Sequence, residues 1–160
     1  MFEGKSINLR LVRPSDLDEL IDLGNRIADK GEYYPIHLHT TSSFRQQFAE
    51  DGMWGEDNGV LLIEDKEHRV VGFITYFPAH RFLPGAEIGF SIYRGADRGR
   101  GAMTEALSIF CAYLFDLKPI ARLQITTHVD NTPTRRVAEK AGFVLEGILR
   151  EAFFFRGEFC

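Results

Sequence analysis

The sequence predicts one mixed α/β domain that spans residues 1–160. Apolar residues alternate in several short segments, as expected for half-buried strands, and recur at helical spacing in others. These patterns follow the order strand, two helices, three strands, helix, strand, helix, strand. A length of 160 residues suits one compact domain, and the sequence contains no repeat, low-complexity segment or linker.

The first half of the chain carries four predicted strands and two predicted helices. Ser15 is a candidate N-cap for the first helix, because leucine and isoleucine follow it at helical spacing. The second helix is predicted to begin near Ser42 or Ser43. Pro84-Gly85 predicts a turn before the fourth strand. The predicted strands cover residues 7–12, 59–64, 70–77 and 86–93.

The second half alternates helices with strands. A helix with one apolar face begins at Ala102 and ends at Lys118-Pro119. A second helix begins near Asn131, with proline in its first turn, and ends at Gly142. The predicted strands cover residues 122–128 and 143–155, and Arg156-Gly157 predicts a turn after the second of them.

Composition argues against several function classes. A net charge of −4 argues against nucleic acid as the main partner, because phosphate binding requires a basic surface. The two cysteines lie far apart and the histidines are scattered, so no metal site is expected. The sequence shows no signal peptide and no apolar run of membrane-spanning length, so we expect a cytoplasmic protein.

One glycine-rich segment predicts an anion-binding site. A strand is followed by two glycines at positions i and i+2, and a helix begins immediately after them. Such a loop exposes backbone N–H groups at the positive end of a helix dipole, and two arginines add positive charge. A pyrophosphate would fit there; the alternative is a surface loop whose glycines only cap the helix. The segment is Arg98-Gly99-Arg100-Gly101-Ala102-Met103-Thr104-Glu105-Ala106.

The loop does not match the usual nucleotide-binding motifs. A P-loop would end in Gly-Lys-Ser/Thr, and a dinucleotide fold would need a third glycine and an early βαβ unit. Neither feature is present, and the loop follows a run of hairpin strands. The pattern therefore argues against ATP or NAD as the ligand.

Four segments in order resemble the GNAT superfamily of N-acetyltransferases. Residues 131–143 resemble the signature Asn-x-x-Ser/Thr followed by Glu-Lys-x-Gly-Phe. The glycine-rich loop resembles the superfamily's CoA-binding motif, Arg/Gln-x-x-Gly-x-Gly/Ala. Glu146-Gly147-Ile148-Leu149-Arg150-Glu151 is similar to a motif of the ribosomal-protein N-acetyltransferase-like branch, as are residues 7–11 and 86–90. The resemblance spans nearly the whole chain.

The sequence departs from the family pattern at three places. Met103 stands where a small residue is usual, which predicts crowding or displacement of the pyrophosphate loop. The connection from Ile92 to Arg98 is one residue longer than expected. The chain ends at Cys160, where the family normally continues through its last strand, so a truncated last strand is expected.

The resemblance implies a fold, a cosubstrate and an acceptor. The fold is a mixed, mostly antiparallel sheet flanked by helices, in which the fourth and fifth predicted strands splay apart. The cosubstrate is acetyl-CoA, and the acceptor is a primary amine on a peptide N-terminus or a small molecule. The segments 33–41 and 80–84 are expected to shape the acceptor pocket.

The family pattern also implies the residues that bind acetyl-CoA. Pantetheine would run beside the fourth predicted strand, at Phe90, Ser91 and Ile92. Asn131 would orient the pantetheine arm; alternatively it is only a turn residue. The pyrophosphate would lie on the loop formed by Arg98, Gly99, Arg100, Gly101, Ala102 and Met103.

Two residues are candidates for acid–base catalysis. Glu87 lies in an apolar strand near the expected cleft, and a partly buried carboxylate can accept a proton near neutral pH. Its alternatives are a solvent-facing residue or a partner of an arginine, and water can replace any protein base. Ala138 occupies the position of the tyrosine acid of many relatives. Thr134 could instead protonate or hydrogen-bond the leaving thiolate, unless its hydroxyl only caps the helix.

One other function class remains open on sequence grounds. A catalytically weak CoA-binding or regulatory protein would be consistent with Met103 and the short C-terminus.

For the C-terminus itself we expect one of two outcomes. Either the last strand pairs with a second subunit to form a homodimer, or residues 152–160 return into the sheet after a turn near Arg150.

Overall fold

A computed structural model describes residues 1–80 and 83–160, without the side chains of residues 80, 83 and 84. Its centre is a six-stranded sheet in which the strands follow chain order. Neighbouring strands are antiparallel except for the last pair, which is parallel. The strands are β1 (Phe2–Glu3), β2 (Ile7–Leu11), β3 (Gly59–Asp65), β4 (Val70–His80), β5 (Leu83–Ile92) and β6 (Leu123–Gln124).

Helices cover both faces of this sheet, which confirms the predicted fold class. Residues from β2, β3, β4 and β5 form one core with α3, in which Phe110, Leu107 and Tyr76 are fully buried. A second core on the opposite face contains Leu17 and Leu20 of α1. The helices are α1 (Leu17–Asn25), α2 (Thr41–Asp51), α3 (Ala102–Leu117) and α4 (Thr132–Lys140).

Two helix starts differ slightly from the prediction. Ser15 lies inside a short 3-10 turn, Pro14–Asp16, and the N-cap of α1 is Asp16. Asp16 replaces Ser15 because its carboxylate accepts a hydrogen bond from the Arg13 N–H, which closes this turn. Helix α2 begins at Thr41, and the hydroxyl of Thr40 caps it by accepting from the Ser43 N–H.

The predicted turn at Pro84-Gly85 is wrong, because both residues lie within β5. Pro78 pairs with Ala86, so β4 and β5 continue past the predicted strand ends. The connection between the two strands, residues 81 and 82, lies outside the described residues. The predicted strand over residues 122–128 is reduced to β6, Leu123–Gln124.

The long strand predicted over residues 143–155 does not form. A strand requires a partner for its backbone groups, and the two residues of β6 offer almost none. The predicted turn at Arg156-Gly157 does form, with φ values of 49° and 98°. It joins β7 (Phe154–Phe155) to β8 (Glu158–Phe159) in a separate hairpin. The expected return of residues 152–160 into the main sheet is therefore wrong.

Candidate active site

Strands β5 and β6 separate soon after they meet. Their pairing covers only two register positions, Ala86 with Leu123 and Glu87 with Gln124. Beyond Glu87, β5 continues to Ile92 without a partner on this side. The two walls enclose an opening between residues 88–92 and residues 125–128, which we call the β5–β6 cleft.

Backbone groups of β5 face into this cleft. The Tyr93 N–H donates to the Val71 carbonyl on the β4 side, whereas the Ala86 N–H donates to the Arg122 carbonyl on the β6 side. Hydrogen-bonding direction alternates along a strand, and the β4–β5 register is regular between residues 86 and 92. The N–H groups of Phe90 and Ile92 therefore point into the cleft, where a bound ligand can pair with them.

The glycine-rich loop lies at the N-terminus of α3, as the sequence predicts. Gly99 and Gly101 adopt left-handed conformations, with φ of 76° and 85°, and Gly101 is the N-cap of α3. No side chain caps this helix. A Cβ atom built at either glycine would meet no atom within 4 Å. The loop therefore presents helix N–H groups and open space, which suits an anion.

Met103 does not crowd this loop, so that expectation was wrong. Its side chain is only 7% exposed and packs in the core between α3 and the sheet. Because α3 packs on the sheet, the side chain of Met103 in its first turn points into the core and away from the loop. The large side chain is accordingly compatible with an anion at Gly101.

A partly buried ion pair lies immediately before the loop and holds it to the β3–β4 turn. Asp97 is 7% exposed, and the Arg69 guanidinium donates to both of its carboxylate oxygens at 3.2 and 2.9 Å. Arg69 is the last residue of the β3–β4 turn, and its guanidinium also donates to Asp65. Sequence analysis missed this pair, because nothing in the local pattern indicates which arginine faces Asp97.

Arg98 and Arg100 behave differently although both belong to the loop. The Arg98 guanidinium donates to the Asp29 carbonyl at 2.6 Å and to the Ile92 carbonyl at 3.2 Å. Its side chain is turned away from the open face of the loop. Both arginines are exposed, but the Arg100 side chain forms no hydrogen bond with the described residues.

Glu87 lies at the closed end of the cleft. Its neighbours Ala86 and Ile88 face the α3 core, so Glu87 faces the side of α1 and α2. The carboxylate is half-buried and accepts a hydrogen bond from the Gln124 side chain at 3.0 Å. Its partner is thus a neutral amide on the facing strand.

Asn131 and Thr134 form the start of α4. The Asn131 side chain accepts from the Thr134 N–H at 3.3 Å and donates to the Thr127 hydroxyl at 2.9 Å. Asn131 therefore caps the helix and fixes it to the cleft wall after β6. Thr134 is half-buried, and within the described part of the chain no group accepts a hydrogen bond from its hydroxyl.

An aromatic stack crosses the cleft on the side of α1 and α2. Tyr33 stacks on His128 with ring centres 4.9 Å apart and planes 21° apart, and Phe155 lies 6.4 Å from His128. The pKa of the Tyr33 phenol is raised by loss of hydration and by the nearby carboxylates of Glu32 and Asp130. The predicted acceptor segment 33–41 thus reaches the far wall. Of the other predicted acceptor segment, 80–84, residues 81 and 82 lie outside the described residues, and the rest lie at the ends of β4 and β5.

Three further observations concern what this chain can bind or span. An open depression of about 870 Å³ begins at Gly101 and continues along α3 to Lys140 and Lys5. Across residues 1–79 and 85–160, whose side chains the structure describes, no three histidine, cysteine, aspartate or glutamate side chains cluster as metal ligands would. None of the helices described is both long and apolar enough to cross a membrane.

Comparison with known proteins agrees with this geometry. The profile of the acetyltransferase (GNAT) domain matches residues 6–144. The chain is 26% identical over 163 residues to the probable N-acetyltransferase YjcK of Bacillus subtilis, covering 94% of this chain and 87% of that protein. It is 30% identical over 89 residues to the ribosomal-protein-serine acetyltransferase of Escherichia coli, covering 56% of this chain and 49% of that protein.

A solved structure shares the fold. Spermidine N-acetyltransferase from Vibrio cholerae, in complex with CoA and spermine, superposes with a TM-score of 0.81 at 19% identity, covering 98% of this chain and 91% of that one. The relatives include the ribosomal-protein acetyltransferases that the sequence motifs predict. Since the domain profile matches most of the sequence, the chain belongs to the GNAT acetyltransferase family and is an acetyl-CoA-dependent N-acetyltransferase.

Proposed function

We propose that the acetyl group passes directly from acetyl-CoA to a primary amine held in the β5–β6 cleft. The observation that carries this proposal is the position of the uncapped α3 N-terminus beside the unpaired edge of β5. The N-terminus of α3 can bind a pyrophosphate, while the unpaired edge of β5 can pair with an extended, amide-containing arm. Residues 1–160 would act as one domain, in the cytoplasm.

The donor site that we propose combines backbone and side-chain groups. N–H groups of Gly99, Arg100, Gly101, Ala102 and Met103 would hold the pyrophosphate, with the exposed side chain of Arg100 adding charge. Arg98 would contribute through its backbone, because its guanidinium is already engaged. Pantetheine would lie along Phe90, Ser91 and Ile92, next to Asn131.

The chemistry that we propose needs three groups. A backbone N–H of β5 polarises the thioester carbonyl as negative charge develops on its oxygen. Glu87 accepts a proton from the incoming ammonium, directly or through one water, so that the amine attacks in its neutral form. As the C–N bond forms and the C–S bond breaks, Thr134 donates a hydrogen bond to the leaving thiolate, or protonates it while its hydroxyl recovers the proton that the attacking nitrogen loses. The cleft supplies the alignment of both reactants.

The acceptor that we propose is a primary amine on a peptide N-terminus or a small molecule. Two similar proteins are named for acetylating spermidine and a ribosomal protein. In this chain, Glu32 and Asp130 flank the Tyr33–His128 stack, and their charge favours a cationic group at the cleft mouth. The direct test is CoA release with a panel of polyamines, simple amines and peptides with different N-termini. Binding of acetyl-CoA without turnover of any amine would contradict the proposal.

Two substitutions separate the proposed acid from the proposed base. Thr134→Ala should lower kcat by about 100-fold or more, the scale of a lost general acid, while the acetyl-CoA Kd changes little. Glu87→Gln should lower kcat on the same scale, because the glutamine amide cannot accept a proton from the ammonium. Steady-state kinetics and calorimetry measure both effects.

The matched control is Thr132→Ala, which removes an exposed hydroxyl from the same helix turn. Its rate should stay close to that of the wild type. Wild-type rates in both Thr134→Ala and Glu87→Gln would mean that alignment and bulk water suffice, and the assigned roles would be wrong.

We further propose that a second copy of the chain covers the C-terminal segment. Both outer edges of the β7–β8 hairpin are unpaired in the single chain, and apolar patches of this kind mark interfaces. The exposed large apolar residues of this segment are Val144, Leu145, Ile148, Leu149, Phe153, Phe154 and Phe159.

This interface predicts a concentration-dependent mass. Light scattering should give twice the mass of one chain for the wild type, and one chain mass for Ile148→Asp and Phe154→Asp. Leu117→Asp places the same charge on an exposed leucine of α3 and should leave the dimer intact. A wild-type monomer at high concentration would contradict this proposal.

A further inference from the structure

Arg98 joins two elements that are far apart in the sequence. Its guanidinium Nη2 lies 2.6 Å from the Asp29 carbonyl and 3.2 Å from the Ile92 carbonyl. Asp29 ends the 3-10 turn that follows α1, and Ile92 ends β5. A Cβ atom at Gly31 would lie 3.8 Å from the Arg98 Nη1, so a side chain at this position would contact the guanidinium.

The segment that Arg98 reaches is the start of the acceptor loop, which we define as residues 26–40. Other contacts hold this loop to itself or to α1. The Asn25 side chain pairs with both backbone groups of His39, and Lys30 donates to the His37 carbonyl at 2.8 Å. These contacts keep the shape of the loop but do not link it to the cofactor side of the cleft.

Contacts at both walls place the acceptor loop against the cleft, and Lys30 and Tyr34 of the loop also lie beside Tyr93. Tyr33 stacks on His128 at the far wall. At the near wall, Arg98, which immediately precedes Gly99, binds the carbonyl of Asp29. The same guanidinium also binds the carbonyl of Ile92, at the edge of the cleft. The near-wall contact is short and charge-assisted, the stronger kind of hydrogen bond. Loss of Arg98 would therefore remove the charged contact on this side of the loop and loosen it, while leaving its internal contacts intact.

We propose that Arg98 is a positioning residue for the acceptor amine, which acts by tying the acceptor loop to the pyrophosphate loop. This inference rests on the proposed function, because it gives residues 26–40 the role of shaping the acceptor site. It assigns the two arginines of the loop to different substrates. Arg98 serves the amine, and Arg100 serves acetyl-CoA.

The test compares Arg98→Ala with Arg100→Ala, its matched control in the same loop. Arg98→Ala should raise the KM for the amine about tenfold, on the scale of one lost charged hydrogen bond, with the acetyl-CoA Kd within about twofold. Arg100→Ala should weaken acetyl-CoA binding several-fold and leave the amine KM nearly unchanged. Arg98→Lys should recover part of the loss, because lysine can still reach one carbonyl.

A readout that does not need activity is hydrogen exchange of the backbone amides in residues 26–40. Exchange should accelerate in Arg98→Ala and remain at the wild-type rate in Arg100→Ala. Weakened acetyl-CoA binding in Arg98→Ala, with unchanged exchange over 26–40, would overturn the proposal and make Arg98 a phosphate ligand. If the wild type acetylates no amine, the proposed function fails, and the exchange experiment still decides what Arg98 holds.

Discussion

Gly101→Asp should weaken the binding of CoA and acetyl-CoA by about 100-fold or more. Gly101 is the N-cap of α3, next to the helix N–H groups that the pyrophosphate would use. A carboxylate there would lie close to the phosphates, and two like charges about 4 Å apart near a protein surface repel by about 4 kcal/mol. The carboxylate would also occupy the helix N–H groups itself. Calorimetric titration with CoA measures the effect.

Gly101→Asn is the control that separates charge from shape. Gly101 has φ of 85°, a conformation that asparagine and aspartate tolerate better than other non-glycine residues. No atom lies within 4 Å of the added Cβ position, so both variants should fold. Asparagine has nearly the same size as aspartate but no charge, and its effect on binding should be much smaller. Unchanged CoA affinity in folded Gly101→Asp would refute the assignment of the pyrophosphate to this loop.

Arg10→Met should lower the free energy of unfolding by about 3–5 kcal/mol, the usual loss when a buried ion pair is broken. Arg10, Asp16 and Glu64 are 6%, 9% and 4% exposed. Arg10 donates to Asp16 at 2.6 and 3.0 Å and also to Glu64, so one guanidinium compensates two buried carboxylates. Methionine fills similar volume, but it would leave both charges unpaired. Urea denaturation at neutral pH measures the loss.

The same ion cluster predicts how stability depends on pH. Burial opposes ionisation of Asp16, but hydrogen bonds from Arg10 and Arg13 outweigh it and lower the pKa of Asp16. A lowered pKa stabilises the fold above the ordinary carboxyl range near pH 4, and this contribution is lost as the pH falls through the folded-state pKa. The difference between wild type and Arg10→Met should therefore shrink in acid.

An exposed ion pair supplies the control for this experiment. Arg45 and Asp18 form a salt bridge of 2.7 Å with side chains that are 50% and 80% exposed. Arg45→Met should change the unfolding free energy by less than about 1 kcal/mol, the usual range for surface pairs. If Arg10→Met lowered the unfolding free energy by as little as Arg45→Met, burial would not make the Arg10 ion pairs more important for stability.

Local signals in the sequence were sufficient for several features of the structure. The glycine-rich loop and α3 were predicted together, because left-handed glycines followed by an apolar helical pattern require only neighbouring residues. The start of α4 at Asn131 and the turn at Arg156-Gly157 have the same local origin. Motif order over the whole chain also predicted the GNAT family, which the domain profile confirms.

Features that depend on distant partners were not predictable in this way. Residues 143–155 have the composition of a strand, but β6 is too short to pair with them. Met103 occupies a loop motif, yet the packing of α3 on the sheet directs its side chain into the core. In each case the local pattern is compatible with more than one environment, and long-range packing selects one of them.

The sequence by itself determined the family, the acetyl-CoA chemistry and the position of the glycine-rich loop, because these follow from short motifs and their order. Only the tertiary structure decided how the loop is held and what it is connected to. Asp97 is bound by Arg69, and Arg98 is bound to carbonyls of residues 29 and 92. A side chain's hydrogen-bond partners depend on which segments the fold brings within about 3 Å, and this distance is not encoded in local spacing.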